Sequence, residues 1–255
     1  RPPAALIDPR VQARRVEVAR DQGRRRRRRL LAVVAVAVVV GGAFAATQSP
    51  LLAVDQVAVA GAASTGVPAV QAAAGIEPGR PLVSVDEAAA AARVEALPWV
   101  AAAEITSHWP RTVRIQVTER VAVAVAGEGP GAVLVDRTGQ VLGPAGDAQL
   151  PVVRTASVPE PGGRLAAETR GAVAVVVGLP KALADQVATV GRRRGALVAT
   201  LDDGIEVELG DRTRLQAKSD AVLALLEQAD RDTIATIDVS VPGTAALTRS
   251  EAAGA

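Results

Sequence analysis

The chain has 255 residues, a formal net charge of +2, one histidine, and no cysteine or methionine. Disulfide staples, thiolate nucleophiles and metal sites built on two histidines are thereby excluded. The charge is divided: residues 1–29 carry 11 Arg against Asp8, Glu17 and Asp21, a net +8, and the remainder carries 18 Arg and Lys against 24 acids, a net −6. Such asymmetry marks a tail that seeks anionic surfaces, joined to a mildly acidic body. With Phe44, Trp99 and Trp109 as the only aromatics, any core is built from Val, Leu, Ile and Ala.

The basic tail closes on six consecutive arginines, Arg24, Arg25, Arg26, Arg27, Arg28 and Arg29, set directly against 17 uncharged residues, Leu30–Ala46. At 1.5 Å per residue those 17 residues reach about 25 Å, and Thr47 to Ser49 with snorkelling arginine stems close the gap to a hydrocarbon core of about 30 Å. Three readings compete. A permanent anchor over residues 30–49 keeps residues 1–29 cytoplasmic, with the arginines setting orientation. A cleaved secretory signal would use Ala43-Phe44-Ala45 as its A-x-A site. A nucleic-acid-binding tail beside a core helix would need a polar helical face, and this run has none. The anchor is the expectation, with the lipid bilayer as partner and no nucleic acid.

Beyond it, VDQVAVA (54–60) reads as a strand closed at Gly61. GVPAVQAAAG reads as a short helix with Pro68 in its first turn and Gly75 at its C-terminal end. GIEPGRPL is a loop, and SVDEAAAAARVEAL a helix capped by Ser84 or Asp86 and stopped by Pro98. Its apolar face is expected along Val85, Ala89, Ala92 and Ala96. AAAEITSHWPRTVRIQVTER forms a hairpin, turning at Trp109-Pro110-Arg111, with Val113, Ile115 and Val117 buried. The order is β-α-α-β-β.

A second region starts near Val121. VAVAVA, AVLVD and QVLG are strands, followed by a Pro- and Gly-rich stretch and a helix ending near Gly178 to Pro180. VATV and ALVATL are strands, and Asp202-Asp203-Gly204 turns into IEVELG with Ile205, Val207 and Leu209 on one face. TRLQAKSDAVLALLEQA is an amphipathic helix with Leu215, Ala221, Val222, Leu225 and Leu226 available for burial. TIATIDVSV and GTAALT finish the sheet, the latter as an edge strand, and residues 250–255 fray. The fold class expected is α+β: a single N-terminal transmembrane helix, then the β-α-α-β-β module, then a mixed α/β domain with a largely antiparallel sheet.

Catalytic constellations are missing. His108 lies at a hairpin turn, no G-x-S-x-G occurs, and neither Lys181 nor Lys218 completes an S-x-x-K. Gly127, Gly129 and Gly131 suit a hairpin turn better than a phosphate loop. Asp202 and Asp203 head a turn. Arg192 to Arg194 reads as a solvated loop, with Arg194 able to meet an acidic partner. No cofactor or metal is expected.

The pieces IDPRVQARRVEVARDQGRRRR, VDQVAVAGAAS, RPLVSVD, LPWVAAAEITSHWPRTVRIQVTERVAVA, AVLVDRTGQVL, LDDGIEVELGD and TIDVSV resemble, in order and spacing, the FtsQ/DivIB family of bacterial division proteins. The resemblance covers nearly the whole chain. It implies a basic cytoplasmic tail (1–29), a transmembrane helix (30–49), a polypeptide-transport-associated (POTRA) domain (50–120) and a β domain (121–249). It further implies a non-catalytic, single-pass scaffold of the division septum in the plasma membrane, with extracytoplasmic domains that link early and late division proteins. The implied partners are FtsB/DivIC-like and FtsL-like membrane proteins and a septal peptidoglycan synthase. A partner strand added to the final sheet edge fits the physics of unpaired main-chain groups. The expected partner-binding residues are therefore Val241, Gly243, Thr244, Ala245, Ala246, Leu247 and Thr248, with Arg194. Ser240 stands where many members carry a basic residue. The rival readings are a secreted binding protein released by signal cleavage, and an envelope enzyme.

Overall fold

The computed structural model describes residues 28–42, 52–241 and 243–249. Residues 28–42 form a helix, α1, exposed along its length and including Arg28 and Arg29. The expected span over 30–49 shares residues 30–42 with it; residues 43–49, like Arg24 to Arg27 and residues 250–255, lie outside the described ones. Among the described residues no helix is long and apolar enough to cross a membrane.

The chain divides into two compact units. The smaller joins the residues up to Ala58 with Ile76–Asp86 and Thr106–Val113; the larger joins Val59–Gly75, Glu87–Ile105 and everything from Arg114. Along the chain the first elements are β1 (Gln56–Ala60), α2 (Val67–Ala74), α3 (Glu87–Glu95), β2 (Val100–His108) and β3 (Thr112–Glu119), in the expected order. The strands form a three-stranded sheet, β1-β3-β2.

Local chemistry accounts for each element. Pro68 occupies the first turn of α2, where no intrahelical donor is lost, and Gly75 ends it at φ 61°, donating its N–H to the Gln71 carbonyl. Strict alternation in β3 buries Val113, Ile115 and Val117 while Arg114, Gln116 and Thr118 stay exposed. Gly61 has φ +83°, and a Cβ there would stand 2.0 Å from the Val117 carbonyl oxygen, so only glycine closes this turn. The carboxylate of Glu119 then accepts the backbone N–H groups of Ser64 and Thr65 and the Thr65 hydroxyl at 2.6–2.9 Å, fixing the loop into α2.

α3 corrects one expectation. Its buried residues are Ala90 and Val94, while Ala92 and Ala96 are exposed. A run of alanines has no periodicity of its own, so the one large side chain, Val94, decides which face turns inward.

The second sheet has nine strands. They are β4 (Ala122–Ala126), β5 (Val133–Asp136), β6 (Val141–Pro144), β7 (Val152–Val153), β8 (Val187–Arg193), β9 (Ala196–Leu201), β10 (Glu206–Gly210), β11 (Ile234–Asp238) and β12 (Ala246–Arg249). Their spatial order is β12-β11-β10-β9-β8-β7-β4-β5-β6. Most pairings are antiparallel, but β10 with β11, β7 with β8 and β4 with β7 are parallel. The two-residue β7 lies in the stretch read as loop, and it joins the sheet's halves by pairing on both sides.

Helices α4 (Ala167–Gly178), α5 (Lys181–Ala184) and α6 (Leu215–Gln228) complete the architecture, with α4 and α6 touching each other and packing on the sheet. The covered face buries Ile205, Val207 and Leu209 of the β10 segment as alternation requires, against Val222 and Leu226 of α6 and Val173 and Val176 of α4. The other face is wet. Register lines up Thr189, Thr200, Glu206, Thr236 and Thr248 across five strands on it. Of the anticipated loop at Arg192–Arg194, Arg192 and Arg193 are instead the end of β8, because Arg194-Gly195 suffices to turn the chain into β9.

Candidate partner-docking edge

The final strand arises from simple causes. In β11 the large side chains Ile234 and Ile237 are buried and Asp238 ends the strand, its carboxylate accepting the Ser240 N–H at 2.8 Å. The Ser240 side chain together with this backbone N–H, opposed by burial, holds the Asp238 carboxyl below its usual range. Gly210, at φ +68°, makes room for this corner: a Cβ there would lie 2.9 Å from Cβ of Ser240. Past the corner, the Thr244 N–H donates to the Val241 carbonyl at 3.1 Å and the chain returns as β12, antiparallel to β11.

β12 closes one side of the sheet, and among the described residues no strand lies outside it. Ala246, Thr248 and Arg249 are exposed and Leu247 is half-buried against the core. Val241 is 61% exposed, and Gly243, Thr244 and Ala245 are exposed with it. Residues 241 and 243–245, with Val239, Ala217, Lys218 and Ala221, line a cavity of about 150 Å³ beside α6. Seven of the eight expected contact residues thus share one place. Arg194 does not join them: it sits at the β8–β9 turn, with β10 and β11 between it and β12.

The sequence reading missed Lys218. It is 2% exposed, and its Nζ donates to the Leu209 carbonyl at 2.7 Å, the Asp211 carbonyl at 3.0 Å and the Asp211 carboxylate at 2.8 Å. A compact ammonium reaches three oxygens that a planar guanidinium would not fit. Its bond to Asp211, aided by Thr213, holds that carboxyl far below the ordinary range. The signal was present: Lys218, Val222 and Leu226 follow i, i+4, i+8 spacing on one stripe, in a chain with 27 Arg and two Lys.

A second polar cluster lies at the start of this sheet. Asp136, 3% exposed, accepts Arg120 Nη1 at 2.8 Å, the Thr138 N–H and hydroxyl at 2.8 and 2.7 Å, and the Gln140 N–H at 2.9 Å. Burial raises its pKa, but these bonds outweigh burial and leave it below the usual carboxylate value. Arg120 also donates to the Val100 carbonyl at 3.1 Å, and Gln140 to that of Pro98 at 3.3 Å. Asp136 is a fully partnered structural carboxylate, not a poised acid. His108 ends β2, exposed, with Nε2 3.3 Å from the Thr106 hydroxyl. Asp203 accepts the Ile205 N–H at 3.2 Å and pairs with Arg231 at 3.0 Å. Among the described residues no group of three His, Asp or Glu side chains is arranged to hold a metal ion.

A POTRA domain of FtsQ type matches residues 52–120, and the C-terminal domain of cell division protein FtsQ/DivIB matches residues 124–240. The chain is 34% identical over 199 residues to cell division protein FtsQ of Mycobacteroides abscessus, covering 76% of this chain and 61% of that one. It is 36% identical to the protein of the same name from Mycolicibacterium smegmatis, covering 76% and 56%. With that from Streptomyces bingchenggensis the figures are 31% identity, 79% and 78%. The chain thus spans less than two thirds of the mycobacterial relatives' length. A solved extracytoplasmic domain of the division protein DivIB from Geobacillus stearothermophilus aligns with 45% of this chain and 99% of its own, at 15% identity and a TM-score of 0.33.

Proposed function

We propose, since the chain belongs to the FtsQ/DivIB family of cell division proteins, that it is a non-catalytic, single-pass scaffold of the divisome. In this reading residues 1–29 are cytoplasmic, residues 30–49 span the plasma membrane, and the POTRA module (50–120) and β domain (121–249) stand outside it at the septum. Its work is placement: the anchor fixes orientation, and the extracytoplasmic modules hold FtsB/DivIC-like and FtsL-like membrane proteins and a septal peptidoglycan synthase in reach of one another.

The observation that carries the reading is the outer edge of β12, on which no described strand lies, beside exposed residues 241 and 243–245. A strand edge offers N–H and C=O groups in register, so an extended partner segment gains main-chain bonds without special side chains. Replacing Ala246 with Pro removes a ladder donor or distorts the strand. Losing about 1.4 kcal/mol there weakens capture of the partner membrane proteins by the full chain roughly tenfold. Undiminished capture by this variant would remove β12 from the interface. Reversing charge at Arg24 to Arg29 disturbs orientation, read by protease protection of residues 50–255.

A further inference from the structure

The end of the smaller unit that holds residues 53–55 exposes two large apolar side chains. Trp109 is 58% exposed at the tip of the β2–β3 hairpin, next to exposed Pro110. Val83, in the turn Leu82–Ser84, is 54% exposed. The same unit buries Ala53, Val54, Leu82 and Val113, so it has a core into which apolar groups go. An exposed tryptophan forgoes the large burial gain of an aromatic ring, in a chain with three aromatics in all.

The tip is pinned to the incoming chain. The Val54 N–H donates to the Arg80 carbonyl at 2.8 Å, and the Asp55 N–H to the Arg111 carbonyl at 2.8 Å. Arg111 meets the Asp55 carboxylate at 3.4 Å, and Ala53 bridges to Pro81. The turn carrying Val83 and the tip carrying Trp109 therefore clasp residues 53–55 from two sides. From Ser49, the end of the expected span, to Ala53 is four residues, which reach at most about 14 Å in any conformation.

We propose that this end is a membrane-contacting foot: Trp109 and Val83 settle into the interfacial layer of the bilayer that holds the anchor. The proposal rests on the anchor reading above. Tryptophan suits that layer because its ring is apolar and its N–H finds headgroup or water acceptors. Arg80 and Arg111 can lay their stems along the apolar boundary with their charges at phosphate depth. The short tether and the clasp at residues 53–55 favour lipid over a partner protein as the occupant. The foot would keep the smaller unit on the bilayer surface instead of letting it swing on its tether.

The test reconstitutes the full chain in phosphatidylcholine vesicles, with or without bromine on the acyl chains near the headgroup. A Trp99→Phe variant leaves Trp109 as the sole tryptophan, and Trp109→Ser in the otherwise native chain is the control. The foot predicts that brominated lipid removes most of the Trp109 emission and that Trp109→Ser abolishes the lipid-dependent quenching seen in the native chain. A chain that floats with the vesicles while its Trp109 emission ignores bromine overturns the foot and leaves the anchor standing. A chain that does not float with vesicles overturns the anchor reading and the foot with it.

Discussion

The two edges of the nine-stranded sheet are finished in opposite ways. At β6 the outer edge is sealed: the Val141 N–H donates to the Gly163 carbonyl at 2.9 Å, the Gly162 N–H donates to the Val141 carbonyl at 2.8 Å, and Gln140 bridges to Arg164. Val141, Leu142 and Gly143 are buried behind that strap. At β12 no described strand follows, and three of its four residues are exposed. An unprotected edge invites adventitious pairing, and proteins usually blunt it. Of the two edges, the one with no described strand beside it is where the proposed partner segment has room to pair.

The largest expected effect comes from attacking the sealed side at its hinge. Asp136→Ala strands the half-buried Arg120 and unpairs the N–H groups of Thr138 and Gln140 in the turn that feeds β6. The cost is about 3 kcal/mol, read as a lower urea midpoint with unchanged slope. The sign with pH follows from its depressed pKa. The stabilisation is complete above the unfolded aspartate value of about 3.9, and it is lost as pH falls through the still lower folded value. Wild type and Asp136→Ala therefore converge in stability only in strong acid. An equal loss from Leu247→Ala, on the bare edge, would erase the contrast between the edges.

Next in size is Lys218→Met, which keeps the apolar stem and removes the ammonium. The Leu209 and Asp211 carbonyls lose their buried donor, at about 2 kcal/mol. The Asp211 carboxyl, freed of its strongest partner, rises toward the ordinary aspartate range, which carboxyl NMR titration would detect. An unmoved Asp211 would mean that Thr213 alone sets its state. This variant sharpens the comparison, because the corner it loosens lies beside the bare edge and away from the strap.

How much of this was legible in the sequence depended on what kind of force made each element. Alternation in Val113–Val117 and Ile205–Leu209 declared both the strands and their buried faces, because period two has one outcome on a half-covered sheet. Pro68 and Gly75 bracketed α2 because their backbone limits are local. The alanine run of α3 was legible as a helix but not as a face. β7 was illegible for a different reason: two valines in a Pro- and Gly-rich stretch become a strand only because β4 and β8 are present on either side. The edge strand at residues 246–248 was legible, since terminal position and a turn suffice to predict an edge. That Arg194 lies apart from β12 was not legible, because proximity across strands is a matter of register, which composition does not carry. Lys218 was overlooked because a lysine on an apolar stripe looks like an exception until its three oxygens are in view.

A smaller effect is expected from Gly210→Ala. Its φ of +68° and the 2.9 Å approach to Ser240 make any side chain both strained and crowded, at about 1 kcal/mol. The displaced neighbour is the corner that leads into Val241. Partner capture should fall by more than global stability would explain, whereas Gly139→Ala, on the sealed side with φ +78° and Arg170 Cγ 2.7 Å from the added carbon, should cost stability and spare capture. Equal effects on capture would place the docking surface outside the β12 corner.

The smallest effect tests the wet face between the two edges. Arg193 reaches from β8 across β9 to Glu206 at 2.7 Å and Glu208 at 2.8 Å on β10. Those bonds, with Glu208 ahead of Glu206, raise the guanidinium's pKa, but the side chain is 48% exposed. Solvent-exposed pairs give up in desolvation, entropy and salt screening most of what they gain in attraction. Arg193→Ala should therefore shift the urea midpoint slightly at low salt and not at all in concentrated sodium chloride. The ordering follows from water: Asp136 works where water is excluded and Arg193 where it is not. A salt-independent loss at Arg193 as large as that at Asp136 would mean that something covers this face in solution, and the bare surface of the sheet would then extend inward from β12 over five strands.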